Sequence, residues 1–342
     1  MPLTPTQTRA QLVQLGVSPR PRLGQNFLTD GNIVRKSLEL AEIAPGDVVV
    51  EIGPGLGTLS AALLAAGAEV FAVEIDRMLH AHLEQTLVAA HPKKFHLLEG
   101  DAVEFPRAGL GEKSAALGKD TASEAGTPLR GVRADEDERV GNGRLGEASL
   151  PQAAPSLPYP SLPQSSQSPR AYKVVANVPY AISTPWLDAL LSGPLPERMV
   201  LMLQRESAER FTAPPNTPER GAISIFVEAA YERQPGHPVS RTCFYPVPKV
   251  DSVLLCLVRR TFPRVFQAAT KKFIRELFTH RRKQLGALVR QLTGKPEAPH
   301  APLAEHATQW LARLPALGTD SHARPEAVPL AAWLALDELL RS

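Results

Sequence analysis

Residues 48–59, Val-Val-Val-Glu-Ile-Gly-Pro-Gly-Leu-Gly-Thr-Leu, constrain the fold more than any other stretch of the chain. The β-branched residues Val48 to Val50 fit a pleated, packed surface and predict a buried strand. Gly53, Gly55 and Gly57 follow at once, and Thr58 with the apolar run 59–66 predicts a helix stopped at Gly67. Strand, glycine turn and helix form the opening unit of a doubly wound α/β fold, whose ligands bind beyond the carboxyl ends of the strands. Glycine permits unusual φ there and lets a ligand touch backbone.

The spacing narrows the ligand. A dinucleotide fingerprint reads G-x-G-x-x-G, with an acid about 20 residues further on. Here Gly53, Gly55 and Gly57 alternate, one residue shorter, and Glu51 sits inside the motif. A second strand over 69–73 ends at Glu74, an acid placed to grip ribose hydroxyls. This E-x-G-x-G-x-G form resembles the S-adenosylmethionine (AdoMet) motif of class I methyltransferases. Alone it also suits a tight strand-to-helix turn that binds nothing, and the rest of the chain has to decide.

At 342 residues the chain is long enough for about two domains. Cys243 and Cys256 are the only cysteines and lack metal-site spacing, so the expectation is a reduced, cytoplasmic protein with no disulfide framework and no metal. With no apolar run of membrane length and no signal peptide, no membrane partner is expected. The 33 prolines exceed ordinary usage and imply a segment outside the packed fold.

That segment is 107–170. Its 64 residues hold one aromatic, Tyr159, and eight basic against eight acidic side chains, without apolar periodicity. Such a stretch cannot bury enough surface to offset ordering entropy of about 1–2 kcal/mol per residue. A disordered surface insertion within one domain is expected, and a partner-binding arm is the other reading.

Before the glycine turn, Thr4-Pro5 predicts a capped helix ending near Gly16, and Arg20 and Arg22 make a small basic arm. Gln25, Asn26 and Phe27 suggest a loop that closes over something, and Thr29 or Asp30 caps a helix over 32–42. After Glu74, a helix is predicted over 77–90 and a third strand over 95–98, ending at Gly100-Asp101-Ala102. Asp101 could hold an adenine amino group or simply cap a turn. Further strands are expected over 172–176 and 199–203, and a paired antiparallel edge over 223–231 and 253–258. Residues 259–290 carry ten Lys or Arg against one acid, Glu276, with apolar residues at helical spacing. An amphipathic helix with one basic side is expected there, with a phosphate backbone as partner or water alone. Trp310 and Trp333 fall in a small helical C-terminal region.

Asn177-Val178-Pro179-Tyr180, at the end of the fourth strand, suits chemistry on an exocyclic adenine amine. That nitrogen is a poor nucleophile because its lone pair is delocalised into the ring. Acceptors for its protons let it pyramidalise toward an electrophile. The Asn177 side-chain carbonyl and the Val178 backbone carbonyl, set by the fixed φ of Pro179, can accept. Tyr180 offers a face on which an extruded base can stack.

Taken together, the motifs resemble the small-subunit ribosomal RNA adenine dimethyltransferase family (KsgA type). They are Leu23-Gly-Gln-Asn-Phe-Leu28, Val50–Thr58, Glu74-Ile-Asp76, Gly100-Asp-Ala102, Asn177–Tyr180 with Ile182-Ser-Thr-Pro185, Leu203-Gln-Arg-Glu206, Phe244–Ser252 and Phe278–Leu285. The resemblance covers about residues 20–290 apart from the insertion. It implies a Rossmann-like class I AdoMet-dependent methyltransferase sheet, with a catalytic domain over 1–260 and a small basic helical RNA-binding domain over 261–342. It implies dimethylation at N6 of two adjacent adenosines near the 3′ end of small-subunit rRNA, within the immature 30S particle and by a monomer. Gln25, Asn26, Leu28, Gly53, Gly55, Glu74, Asp101 and Asn177 would contact AdoMet. Asn177, Pro179 and Tyr180 would hold the adenine, with Phe244 closing the pocket from the other side. Arg20, Arg22, Lys249, Arg281, Arg282 and Lys283 are the candidate RNA contacts. Val178 stands where the family usually has Leu, and the insertion has no recognised counterpart. The alternatives are a large-subunit rRNA adenine N6-methyltransferase of the macrolide-resistance type and a non-catalytic RNA- or DNA-binding factor on the same fold.

Overall fold

A computed structural model describes residues 3–20, 24–110 and 171–341. The predicted insertion lies outside the described residues from 111 onward, and Arg22 also lies outside them. Nine strands are described: β1 (Phe27–Leu28), β2 (Val48–Ile52), β3 (Glu69–Glu74), β4 (Phe95–Glu99), β5 (Lys173–Asn177), β6 (Arg198–Gln204), β7 (Tyr231–Val239), β8 (Phe244–Tyr245) and β9 (Ser252–Arg259). The α-helices are α1 (Pro5–Gln14), α2 (Gly31–Leu40), α3 (Thr58–Ala65), α4 (Arg77–Leu83), α5 (Ser183–Leu190), α6 (Arg205–Phe211), α7 (Ala222–Ala230), α8 (Ala268–Thr279), α9 (Leu285–Thr293), α10 (Ala304–Arg313) and α11 (Leu330–Leu339). None of the helices among the described residues is long and apolar enough to cross a membrane.

Seven strands form one sheet in the order β4-β3-β2-β5-β6-β9-β7. The run from β4 to β6 is parallel, and β9 runs antiparallel to both β6 and β7. Chain order reverses between β2 and β5, so a crevice opens beyond their carboxyl ends. The β2 residues divide by parity, as the strand period of two requires. Val48, Val50 and Ile52 join the apolar cluster that includes α5, α7 and the C-terminal helices, while Val49 joins the cluster with α2 and α3. The first of these clusters runs without a break from Val50 through Trp186 and Phe226 to Trp310 and Trp333.

Local signals explain the helix starts. Thr4 and Gln7 form a capping box at α1, and the Asp30 carboxylate accepts the Asn32 N–H at α2. Arg77 opens a helix that continues past α4 as a π-helical turn over Glu84–Val88.

Two expectations fail. The run predicted as a strand over 223–231 lies in helix α7 up to Ala230, and the edge strand is β7, which begins at Tyr231. Helix α7 is buried on nearly every side, from Ile223 to Ala230, so no polar face marks its 3.6 period and the run reads like a core strand. Strand β7 contains Pro235 and Pro238, which an edge strand tolerates because one side of its ladder is unpaired. The single basic helix is also absent. Helices α8 and α9 are separate, and the break between them carries Arg281, Arg282 and Lys283.

Candidate active site

The crevice between β2 and β5 is lined by every predicted cofactor residue: Gln25, Asn26, Leu28, Gly53, Gly55, Glu74, Asp101 and Asn177, with Pro179 beside them. Its empty space is about 1030 Å³ including the open mouth, at the upper end of small-ligand sites, about 300–1,000 Å³.

The glycine turn forms the floor. Gly53, Gly55 and Gly57 all have φ between 61° and 78°, the left-handed region that favours glycine. At Gly55 a Cβ would also lie 3.2 Å from the Phe27 ring, and at Gly57 one would lie 2.7 Å from Leu87. The turn therefore admits neither a side chain nor another backbone shape at low cost.

Strand ends supply the acids. Glu74, at the end of β3, accepts the Gly55 N–H (3.0 Å) on one oxygen and the Asp76 N–H (3.0 Å) on the other. Burial raises its pKa, although those N–H donors oppose the shift. Glu51 is almost fully buried, and the Ser60 hydroxyl donates to it at 2.6 Å. Burial pushes the Glu51 carboxyl up to about 8, against the Ser60 bond and reinforced by nearby Glu74. Asp101, beyond β4, caps a turn by accepting the Val103 N–H (2.8 Å) and also lines the crevice. The turn-cap reading of Asp101 therefore holds. Three carboxyl groups and, among the described residues, no Lys or Arg line the crevice. That donor set suits a cationic ligand and opposes a phosphate. AdoMet, with its sulfonium and ammonium groups, fits it.

Asn177 ends β5. Its amide nitrogen donates to the Asn26 backbone carbonyl (2.8 Å). A carbonyl can only accept, so this bond fixes which end of the amide is which. The Asn177 side-chain oxygen is thereby left as an acceptor. Asn26 in turn donates to the Gly24 carbonyl (3.1 Å), so the arm before β1 is folded onto the strand end. Gln25 ties the arm further, accepting the Arg20 N–H (2.9 Å) and donating to Asp76 (3.3 Å). The side chain of Val178 is fully buried in the core, which leaves only its backbone to face a ligand.

Tyr180 and Phe244 sit outside the crevice lining. Tyr180 is half-buried, and its hydroxyl shares a 2.7 Å hydrogen bond with the buried Ser252 hydroxyl. Burial raises its phenol pKa, partly offset by that bond. Phe244 lies in the core and pairs with Leu28 across the β1–β8 ladder, directly behind the crevice wall. Sequence reasoning gave no role to Ile75, which lines the crevice next to Glu74 and is 51% exposed. An apolar residue between two acids, Glu74 and Asp76, just past a predicted strand was the available signal.

The candidate RNA contacts are scattered. Lys249 and Arg282 are exposed. Arg20 lies 3.6 Å from Asp76, Arg281 donates to the Pro218 carbonyl (2.8 Å), and Lys283 donates to Gln291 (2.8 Å).

Sheet order, glycine turn and strand-end acids define the class as a Rossmann-like class I AdoMet-dependent methyltransferase fold. Solved structures agree at the level of fold. A dimethyladenosine transferase from Plasmodium falciparum superposes with a TM-score of 0.59 at 22% identity, covering 91% of this chain and 95% of that one. The 23S rRNA methyltransferase ErmE gives 0.52, also at 22% identity, covering 93% and 100%. Residues 16–301 match the family model for ribosomal RNA adenine dimethylase. A protein from Opitutus terrae named ribosomal RNA small subunit methyltransferase A is 51% identical over 336 residues, 98% of each chain. The chain belongs to the ribosomal RNA adenine dimethylase family.

Proposed function

We propose that this chain is an AdoMet-dependent rRNA (adenine-N6,N6)-dimethyltransferase acting on two adjacent adenosines near the 3′ end of small-subunit rRNA. Family membership and the full-length likeness to a small-subunit methyltransferase support the substrate class. The observation that carries the chemistry is the Asn177 amide, anchored by Asn26 so that its oxygen is free to accept a proton from an adenine amine.

AdoMet, when bound, supplies a methyl group on a cationic sulfur. Asn26, Leu28, Gly53, Gly55, Glu74, Asp101 and Asn177 are the residues proposed to hold it, with Gln25 fixing the arm above. Asn177 and the carbonyl before Pro179 draw on the amine protons, and the Tyr180 ring, steadied by Ser252, gives the base a stacking face. Phe244 backs the wall behind Leu28. The chain's own contribution is position and polarisation, so no strong base is required.

The substrate is proposed to be rRNA within the immature 30S particle, met in the cytoplasm by a monomer. Residues 1–260 carry the chemistry, and 261–342 contribute RNA contacts through Arg281, Arg282 and Lys283. Arg20, Arg22 and Lys249 are proposed to contact RNA from the catalytic side.

The test is methyl transfer from labelled AdoMet to immature small subunits, with mass-spectrometric mapping of the product. Label in adjacent N6,N6-dimethyladenosines is expected. Label confined to large-subunit RNA, or no label, overturns the proposal.

A further inference from the structure

Three exposed cations, Arg205, Arg241 and Lys249, stand on segments gathered around Asp251, next to Ser252 and its Tyr180 partner. Arg205 follows the carboxyl end of β6, and its N–H donates to the Asp251 carbonyl at 3.4 Å. Arg241 follows the end of β7, and its N–H donates to the Asp251 side chain at 3.1 Å. Lys249 lies two residues before Asp251. All three side chains belong to exposed residues, and among the described residues none of the three forms an ion pair. The acids at this edge are Glu206 and Asp251 itself, and one Asp251 oxygen is already engaged by the Arg241 N–H.

The sheet puts this cluster next to the reacting end of the site. Ser252, adjoining Asp251, stands in register with Gln204 of β6 and Val239 of β7, and it is bonded to the Tyr180 hydroxyl. Asn177 pairs with Met202, two residues before Gln204. The crevice interior differs, with no Lys or Arg among the described residues and with the carboxyl groups of Glu74 and Asp101 in its lining. A polyanion is therefore disfavoured inside and favoured at this cluster, where a base can enter while its backbone stays out.

We propose that Arg205, Arg241 and Lys249 form a phosphate-gripping rim for the single-stranded RNA backbone flanking the target adenosine, which rests on the methyltransferase reading above. Backbone contacts of this kind fix the register of a strand without reading its sequence. They leave bound RNA with a salt dependence that counts the phosphates neutralised.

The test replaces Arg205, Arg241 and Lys249 together with Gln in the full chain. RNA affinity is measured across a salt series on immature small subunits, with AdoMet binding and methyl transfer alongside. A control variant, Lys93→Gln with Arg313→Gln, removes exposed cations elsewhere. We expect the slope of log affinity against log salt to flatten by about 2, from roughly 0.7 per single-strand phosphate contact. KM for RNA should rise about tenfold, while AdoMet affinity and kcat stay unchanged. A slope and KM equal to those of the control overturn the rim. The binding slope is read whether or not methyl is transferred, so an unaltered chain that transfers no methyl counts against the methyltransferase reading alone.

Discussion

The crevice and the basic stretch 259–290 were equally conspicuous in the sequence, and the structure treats them differently. In the crevice, the predicted cofactor residues share one lining, with Glu74, Asp101 and Asn177 at or just beyond strand ends whose neighbours are set by the doubly wound order, while Tyr180 and Phe244 stay outside it. In the basic stretch, ten cations counted along the chain do not become one charged face. Lys271 is buried and bonded to Asp188 and Ser192, and Arg275 pairs with the same Asp188. Arg260 pairs with Glu232, Arg264 with Glu338, and Arg259 donates to the Leu195 carbonyl. Burial opposes ionisation of Asp188, yet the bonds from Arg275 and Lys271 hold it below the usual carboxylate range. Two of the ten cations, Lys271 and Arg275, join α8 to α5, the helix that follows the Asn177–Tyr180 turn. Strand-end position survives folding as a functional signal, whereas summed charge does so only after its internal partners are subtracted.

The sharpest way to separate the two regions is Asn177→Ala. It removes the acceptor while leaving the basic stretch intact, so methyl transfer should fall about 10³-fold with RNA binding nearly unchanged in single-turnover and binding assays. Equal loss of both would erase the distinction.

Next is Asp188→Ala, which strands the buried Lys271 beside Ser192. Stability should drop by about 3 kcal/mol, the lower end for breaking a buried pair because Asp188 is partly exposed and Lys271 keeps other acceptors. The check is the denaturant midpoint. A change below about 1 kcal/mol, typical of surface pairs, would mean that these cations are not structural after all.

Glu51→Gln probes the crevice through pH. Burial pushes the folded carboxyl up to about 8 from its ordinary 4.5, so the folded state holds a proton that the unfolded state has released between those values. The Glu51 contribution to the stability of the unliganded chain therefore falls as pH rises from about 4.5 to 8, and levels off above. The Gln variant should lose this component, giving a shallower decline in melting temperature over that window. Identical pH profiles would place Glu51 in a far more polar setting.

The smallest effect is expected from neutralising Arg281, Arg282 and Lys283. Two of the three already hold internal partners, so the salt slope should flatten by only about 0.7, the worth of one single-strand phosphate contact.

Much of the sheet and nearly all of the crevice were legible in the sequence. Glycine spacing, β-branched runs and strand-end acids are local signals that the fold preserves. Helix α7 was not legible, because a helix buried on every side has no amphipathic period to show. The destinations of Lys271 and Arg275 were hidden because Asp188 lies more than 80 residues away in sequence. The Ser252 bond to Tyr180 joins two motifs that were each visible, but 72 residues of chain separate them and no local pattern links them.

The most direct test of the central claim is mass-spectrometric mapping of rRNA from a strain lacking its own small-subunit dimethyltransferase and supplied with this chain. The account predicts that two adjacent N6,N6-dimethyladenosines return near the 3′ end of the small-subunit RNA with the unaltered chain, and do not return with Asn177→Ala. Dimethyladenosine in large-subunit RNA alone, or full restoration by the Ala variant, would contradict it.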